Sequence, residues 1–97
     1  MVIVYSTISS EKQAINLANS LLKRKIARCV NIFPTKSIYE WKGKIIKGRE
    51  YVMIIKSSKS FELLRKEIEK IHPYEIPCII ELSKKMNKKY EGWLNGG

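Results

Sequence analysis

The order of apolar patterns along these 97 residues constrains the fold more than any single residue does. Short runs rich in β-forming residues alternate with two stretches whose apolar residues recur at helical spacing, so the predicted order is β-α-β-β-α-β. Lys42-Gly43-Lys44 is typical of a hairpin turn between the two middle strands. The predicted strands are residues 2–6, 28–33 with a continuation at 37–41 after the interruption at Pro34, 50–56 and 77–83.

Both main helices are marked by caps and by one apolar face. Ser10 with Gln13 matches a capping box, and the residues after it repeat at i, i+3, i+4, i+7 and i+8. The serines of 57–60 supply caps for the second helix, which ends before Pro73. The apolar faces are Ala14, Leu17, Ala18, Leu21 and Leu22 in the first helix, and Phe61, Leu64, Ile68 and Ile71 in the second.

This order predicts an α+β fold, a ferredoxin-like plait with both helices on one face of a mostly antiparallel sheet, a long central hairpin and a short C-terminal helix at 88–94. Met53, Ile55, Ile79 and Leu82 suggest strands that are apolar on both faces. In a chain this small, a second apolar face predicts oligomerisation. The hairpin would reach a partner subunit as an arm.

Length and composition set the remaining bounds. Residues 1–97 predict one domain, and no apolar run approaches the roughly 20 residues of a membrane span. The apolar start has no basic segment before it, so it predicts a first strand and not a signal peptide. Cys29 and Cys78 predict buried, reduced thiols. We therefore expect a cytoplasmic protein with no membrane partner.

The formal net charge of +10 suggests an anionic partner, but the lysines that supply most of it are spread along the chain. The strands lack the aromatic motif of RNA-recognition sheets, so the sequence disfavours nucleic acid. No aspartate occurs, and no phosphate-binding glycine motif or nucleophile–base set can be named. The chain is accordingly predicted not to be an enzyme.

His72-Pro73-Tyr74-Glu75-Ile76-Pro77 is the most distinctive segment, with the only histidine and two of the three prolines. Each proline fixes its own φ and favours an extended residue before it. An imidazole, a phenol and a carboxylate therefore lie on a short, stiff, non-helical segment. Its spacing alone is consistent with a packing loop or with a binding site.

Several blocks, in this order along nearly the whole chain, resemble the CutA family, the divalent-cation tolerance proteins. The blocks are Arg28-Cys29-Val30-Asn31-Ile32, Ser37-Ile38-Tyr39-Glu40-Trp41-Lys42-Gly43-Lys44, Glu50, Met53-Ile54-Ile55-Lys56, His72-Pro73-Tyr74-Glu75-Ile76-Pro77, and Tyr90 with Trp93-Leu94. The resemblance implies a ferredoxin-like homotrimer that binds or responds to divalent metal ions, copper above all.

The same resemblance implies a metal site with His72 as a ligand and Glu75 beside it. The family also links copper to a cysteine at the end of the first strand, where this chain has Ser6, and a hydroxyl group suits copper less well than a thiolate. The resemblance still implies copper or another divalent cation as the cofactor, with further ligands from neighbouring subunits or from exogenous anions.

An alternative function follows from the family's similarity to the trimeric PII signalling proteins, which bind small ligands in clefts between subunits. In this hypothesis the chain binds a small anionic ligand. The residues that would line the cleft are Tyr39, Trp41, Glu50, Lys56, Tyr74 and Glu75.

Overall fold

The computed structural model describes residues 1–82 and 85–96 and has the predicted element order. Its elements are β1 (Val2–Ile8), α1 (Glu11–Lys23), β2 (Cys29–Trp41), β3 (Lys44–Ser57), α2 (Phe61–Ile71), β4 (Ile79–Glu81) and α3 (Lys88–Leu94). The four strands form one antiparallel sheet in the order β2-β3-β1-β4. The prediction of an α+β ferredoxin-like plait is confirmed.

Both main helices begin where their caps were predicted. The Ser10 hydroxyl accepts the backbone N–H of Gln13 at 3.1 Å, and the Ser60 hydroxyl accepts that of Leu63 at 3.2 Å. Each bond satisfies a donor that the first helical turn leaves unpaired. None of the helices in the described part of the chain is long and apolar enough to cross a membrane.

The core lies between the two helices and one face of the sheet. Its buried apolar side chains come from β1 and β3 on the sheet side and from α1 and α2 on the other, and each valine, leucine, isoleucine or methionine among them contributes about 2 kcal/mol relative to an exposed position. They include Val2, Val4, Ile8, Met53 and Ile55 from the strands, and Ala14, Leu17, Leu21, Leu64 and Ile68 from the helices.

Strand β2 is continuous through Pro34, which corrects the predicted interruption. Pro34 lies opposite Tyr51 within the long β2–β3 ladder. Since β2 is an edge strand, one side of its backbone has no neighbouring strand, and a residue without an N–H is tolerated there. The predicted last strand is also shorter, because β4 covers only Ile79–Glu81. Residue 83, which was included in that prediction, lies outside the described residues.

The β2–β3 hairpin extends well beyond the rest of the sheet. Strand β1 faces only the part of β3 from Tyr51 to Ser57, so residues 34–50 project as a two-stranded ribbon, hereafter the arm. The arm accounts for the elongated outline of 46 × 25 × 22 Å. Its tip is a two-residue turn in which Lys42 has φ 51° and Gly43 has φ 78°. The arm exposes large apolar side chains, with Ile38 at 69% and Ile45 at 73%.

The sheet face turned away from the helices is apolar, but of the residues that the sequence suggested only Leu82 has the register of this face. Met53, Ile55 and Ile79 belong to the helix-covered face or pack against its core. By register, the opposite face carries Tyr5, Ile54 and Ile80 with Phe33, and Phe33 is 46% exposed. This surface, hereafter the open face, also leaves Ile80 exposed, at 51%.

Candidate functional site

His72 is a nearly buried residue that fastens the segment after α2 to strand β1. It caps the end of α2, and its backbone N–H donates to the Ile68 carbonyl oxygen at 2.8 Å. Its ring Nε2 lies 2.8 Å from the Thr7 carbonyl oxygen, and its Nδ1 accepts the Tyr74 backbone N–H at 3.1 Å. A carbonyl oxygen only accepts and an N–H only donates, so these partners assign the proton to Nε2.

Both ring nitrogens of His72 are therefore engaged within the protein. A metal ligand must offer an unprotonated nitrogen with a free lone pair, and neither nitrogen does so in this arrangement. Ser6, at the position of the family's cysteine, is fully buried and donates to the Cys78 carbonyl oxygen at 2.5 Å. In residues 1–82 and 85–96, no three His, Cys or Glu side chains converge to hold a metal ion. A single chain thus does not fit a copper ion.

Glu50 is the residue on which three parts of the chain converge. One carboxylate oxygen accepts the hydroxyl of Ser37 from β2 at 2.6 Å. The other accepts the phenol of Tyr74 from the 72–77 segment, also at 2.6 Å. Burial, followed by the hydrogen bond to Glu50 and its negative charge, raises the pKa of Tyr74. Tyr74 therefore stays protonated and remains a hydrogen-bond donor to Glu50.

A cleft of about 720 Å³ opens beside this carboxylate, bounded by the arm, β1 and the 72–77 segment. The predicted residues Tyr39, Trp41, Glu50, Tyr74 and Glu75 all line it. His72 is not among the lining residues, since its ring is turned toward β1. The remaining lining residues, which were not predicted, are Tyr5, Thr7, Lys36, Ser37, Ile38, Ile76 and Cys78.

Of the six residues predicted to line the cleft, Lys56 is the one that the structure does not bring there. Six residues of extended strand separate it from Glu50, a distance of about 20 Å. Its ammonium group instead lies 5.2 Å from the ring centroid of Tyr90 in α3. The Arg28 guanidinium lies similarly over the ring of Trp93, at 4.4 Å. These two cation–π contacts hold α3 against the sheet.

Ser37 is a cleft residue that could have been predicted from the hairpin turn, because the turn fixes which residues of β2 and β3 face each other. The turn at Lys42 and Gly43 sets the arm's register and places Ser37 opposite Gly48. Glu50, two residues from Gly48, is then a diagonal neighbour of Ser37 on the same face. Since Gly48 has no side chain, nothing stands between the Ser37 hydroxyl and the Glu50 carboxylate.

Comparison with known proteins connects this chain to one family along nearly its whole length. Residues 2–96 match the profile of a family described as the CutA1 divalent ion tolerance protein. The chain is 36% identical over 96 residues to the divalent-cation tolerance protein CutA of Thermotoga maritima, covering 97% of this chain and 95% of the relative. It is 38% identical over 94 residues to that of Archaeoglobus fulgidus, covering 95% and 92%.

Solved structures are similar in fold as well as in sequence. The periplasmic divalent cation tolerance protein CutA from Archaeoglobus fulgidus superposes with a TM-score of 0.90 at 38% identity, covering 97% of this chain and 94% of that one. The PII-like protein CutA from Nostoc sp. PCC 7120, in its apo form, gives a TM-score of 0.91 at 28% identity, covering 99% and 95%.

Proposed function

We propose, from the premise that this chain belongs to the CutA1 family of divalent ion tolerance proteins, that it acts in the tolerance of divalent metal ions as a homotrimer. The observation that carries the assembly is the uncovered apolar surface of the open face and the arm. A two-stranded ribbon is at best marginally stable in water by itself, so an arm with Ile38 and Ile45 exposed needs a neighbour. Another copy of the chain supplies that cover.

The open face and the arm form a nearly continuous surface for such contacts. Phe33 and Ile80 are about half exposed on the sheet, and Tyr39 and Trp41 extend the apolar surface along the arm. Aromatic side chains of this kind are enriched at the centres of protein–protein interfaces. Three copies, each laying its arm on a neighbour, would enclose the open faces around a common axis.

The assembly is tested by light scattering coupled to size-exclusion chromatography. We expect the wild type to elute with three times the mass of one chain. Ile45→Lys places a charge where the arm would be covered, and we expect it to shift the protein toward monomer. Leu22→Lys, an exposed apolar residue of α1 on the helix side, is the matched control. A monomeric wild type at micromolar concentration would contradict the assembly.

Copper is the metal that the family resemblance favours, and the geometry restricts where it would bind. With both His72 nitrogens hydrogen-bonded and Glu75 on the cleft wall, a site for copper would have to combine groups from neighbouring copies. Titration calorimetry of Cu(II) into the wild type and His72→Ala tests the predicted ligand. Equal affinities would exclude His72, whereas a large loss in a variant that remains folded and trimeric would support it.

A cytoplasmic location is part of the proposal. Cys29 and Cys78 are both free thiols, which is typical of proteins kept in a reducing compartment. The Archaeoglobus relative is named periplasmic, so the location has to be measured on this chain itself. Fractionation of the native host, with antibody detection in the soluble and periplasmic fractions, distinguishes the two compartments. We expect the purified protein to have no enzymatic activity.

A second candidate function is that of a ligand-binding protein, and the cleft beside Glu50 favours it. The Nostoc relative is named PII-like, and the predicted cleft residues apart from Lys56 meet at one place in this chain. A cavity of about 720 Å³ lies within the range of small-molecule sites. Thermal unfolding with candidate metabolites at millimolar concentration is the test, because a ligand that binds only the folded state raises the midpoint.

A further inference from the structure

The Glu50 carboxylate is half-buried, and it forms no ion pair with a cation of residues 1–82 or 85–96. Ser37 and Tyr74 donate hydrogen bonds to it, but hydroxyl donors do not neutralise a charge. Within residues 1–82 and 85–96, three ion pairs lie on α2 and a fourth joins α2 to the residue after α1, and none of these four includes Glu50. Lys36 also lines the cleft, yet it forms no ion pair with Glu50.

Taken together, the charged side chains that line the cleft are more acidic than basic. Glu75 adds a second carboxylate, whereas Lys36 is the single cation among the lining residues. Burial raises the pKa of the Cys78 thiol, and the negative charge of Glu50 raises it further. The charged side chains that line the cleft are therefore two carboxylates and one ammonium group, whereas the whole chain carries a net charge of +10. This lining favours a cation over an anion.

The aromatic lining adds a second preference. The rings of Tyr39, Trp41, Tyr74 and Tyr5 all contribute to the cleft wall. Aromatic rings carry negative charge on their faces and attract cations, most strongly when water is displaced. They also offer apolar surface to an alkyl chain. A small hard ion such as Mg²⁺ prefers oxygen ligands and makes no use of such rings.

We infer that the cleft binds an organic ammonium ion, with its charged head against Glu50 and its alkyl portion between the aromatic rings. The inference rests on the second function proposed above, that the cleft is a ligand site, and it requires the neighbouring copies of the proposed trimer to leave Tyr39 and Trp41 in contact with the ligand. It reverses the charge that the sequence led us to expect of the ligand. Glu75 provides a second carboxylate for a ligand with two or more amino groups.

The test uses spermidine and tetramethylammonium as probes, titrated into the full-length protein in about 150 mM salt, where exposed charges are screened beyond about 8 Å. A strongly basic protein repels cations over most of its surface, so saturable binding reports a local site. We expect Glu50→Gln to weaken spermidine binding about tenfold or more. We expect Trp41→Leu to weaken it between about 2-fold and 30-fold, the range of a cation–π contact.

Glu40→Gln is the matched control, because Glu40 lies on the arm and is exposed, yet it does not line the cleft. It makes the same change of charge as Glu50→Gln and should leave the affinity unchanged. Three results would overturn the inference. The first is saturable binding of citrate or ATP without binding of spermidine, and the second is spermidine binding that all three variants retain in full. The third is binding of Mg²⁺ in place of spermidine, with an affinity that does not depend on Trp41.

Light scattering on the same samples separates this inference from the proposed assembly. A trimeric wild type that binds neither ammonium probe overturns the ligand and leaves the trimer standing. A monomeric wild type that binds spermidine through Glu50 overturns the trimer and supports the ligand.

Discussion

His72 and Thr7 are joined by a hydrogen bond across 65 residues of sequence, in which the ring Nε2 donates to the Thr7 carbonyl oxygen. The bond attaches the segment after α2 to the end of β1. The second ring nitrogen accepts the Tyr74 N–H, which orients Tyr74 so that its hydroxyl meets Glu50. The histidine thereby positions one wall of the cleft, and its role in the single chain is structural.

His72→Ala should therefore lower the free energy of unfolding by about 1–3 kcal/mol, because it leaves the buried Thr7 carbonyl without its donor. His72→Gln, whose amide can donate to the same oxygen, should recover part of the loss. Denaturant unfolding at fixed protein concentration measures both variants. An Ala variant as stable as the wild type would show that the bond contributes nothing.

Ser6→Ala should also destabilise the fold, by about 1–2 kcal/mol, since it removes the hydroxyl that donates to the Cys78 carbonyl oxygen. The exposed Ser9 provides a control of the same chemistry, and Ser9→Ala should change stability by less than about 0.5 kcal/mol. Urea unfolding of the two variants side by side makes the comparison. Equal effects would contradict the importance of burial at Ser6.

Glu67 should give the protein a pH-dependent stability in acid. Hydrogen bonds from Lys70 and then from Arg24 lower the pKa of the Glu67 carboxyl below its ordinary value of 4.5. The folded state therefore favours the carboxylate, and the stabilisation is present above pH 4.5 and is lost as the pH falls through the folded-state pKa. In Glu67→Gln, stability should fall less steeply in this range.

The measurement for Glu67 is the free energy of unfolding at a series of pH values from about 6 to about 3, around the ordinary pKa of a glutamate. Glu40→Gln is the control, as Glu40 is exposed and forms no ion pair in the part of the chain that the structure describes. If Glu67→Gln keeps the full acid dependence of the wild type, the ion pairs of Glu67 are not its source.

The tip of the arm offers a stabilising substitution. Lys42 and Gly43 both have positive φ, as the tight hairpin turn requires, and lysine is poorly suited to that conformation. Lys42→Asn should raise the unfolding free energy by about 0.5–1 kcal/mol, whereas Gly43→Ala should lower it by about 1 kcal/mol. Thermal unfolding compares the pair. A lower midpoint for Lys42→Asn would contradict the turn geometry.

The order of elements was predictable because each is encoded locally. Ser10 and Ser60 mark the helix starts, Pro73 follows the end of α2, and helical spacing identifies the apolar faces. Strand β2 was misjudged at Pro34 because tolerance of proline depends on a strand's place in the sheet. That place is set by pairing between distant segments and not by the residues around Pro34.

The candidate site was only partly predictable for the same reason. Resemblance selected Glu50 and Tyr74, and the structure explains their relation through a hydrogen bond between β3 and the 72–77 segment. Nothing in the local sequence shows that both nitrogens of His72 are occupied. Lys56 was assigned to the same site although a strand keeps residues six apart at a distance of about 20 Å, a limit that the predicted strand already imposed.

The length of β2 has a consequence for spectroscopy. The chain's two tryptophans lie near opposite ends of this strand, Trp41 at its last residue and Trp93 over Arg28, which directly precedes it. An extended strand of this length spans about 40 Å, so their surroundings are independent. Intrinsic fluorescence thus has two separable sources: Trp41 reports events at the cleft and the arm, and Trp93 reports the docking of α3.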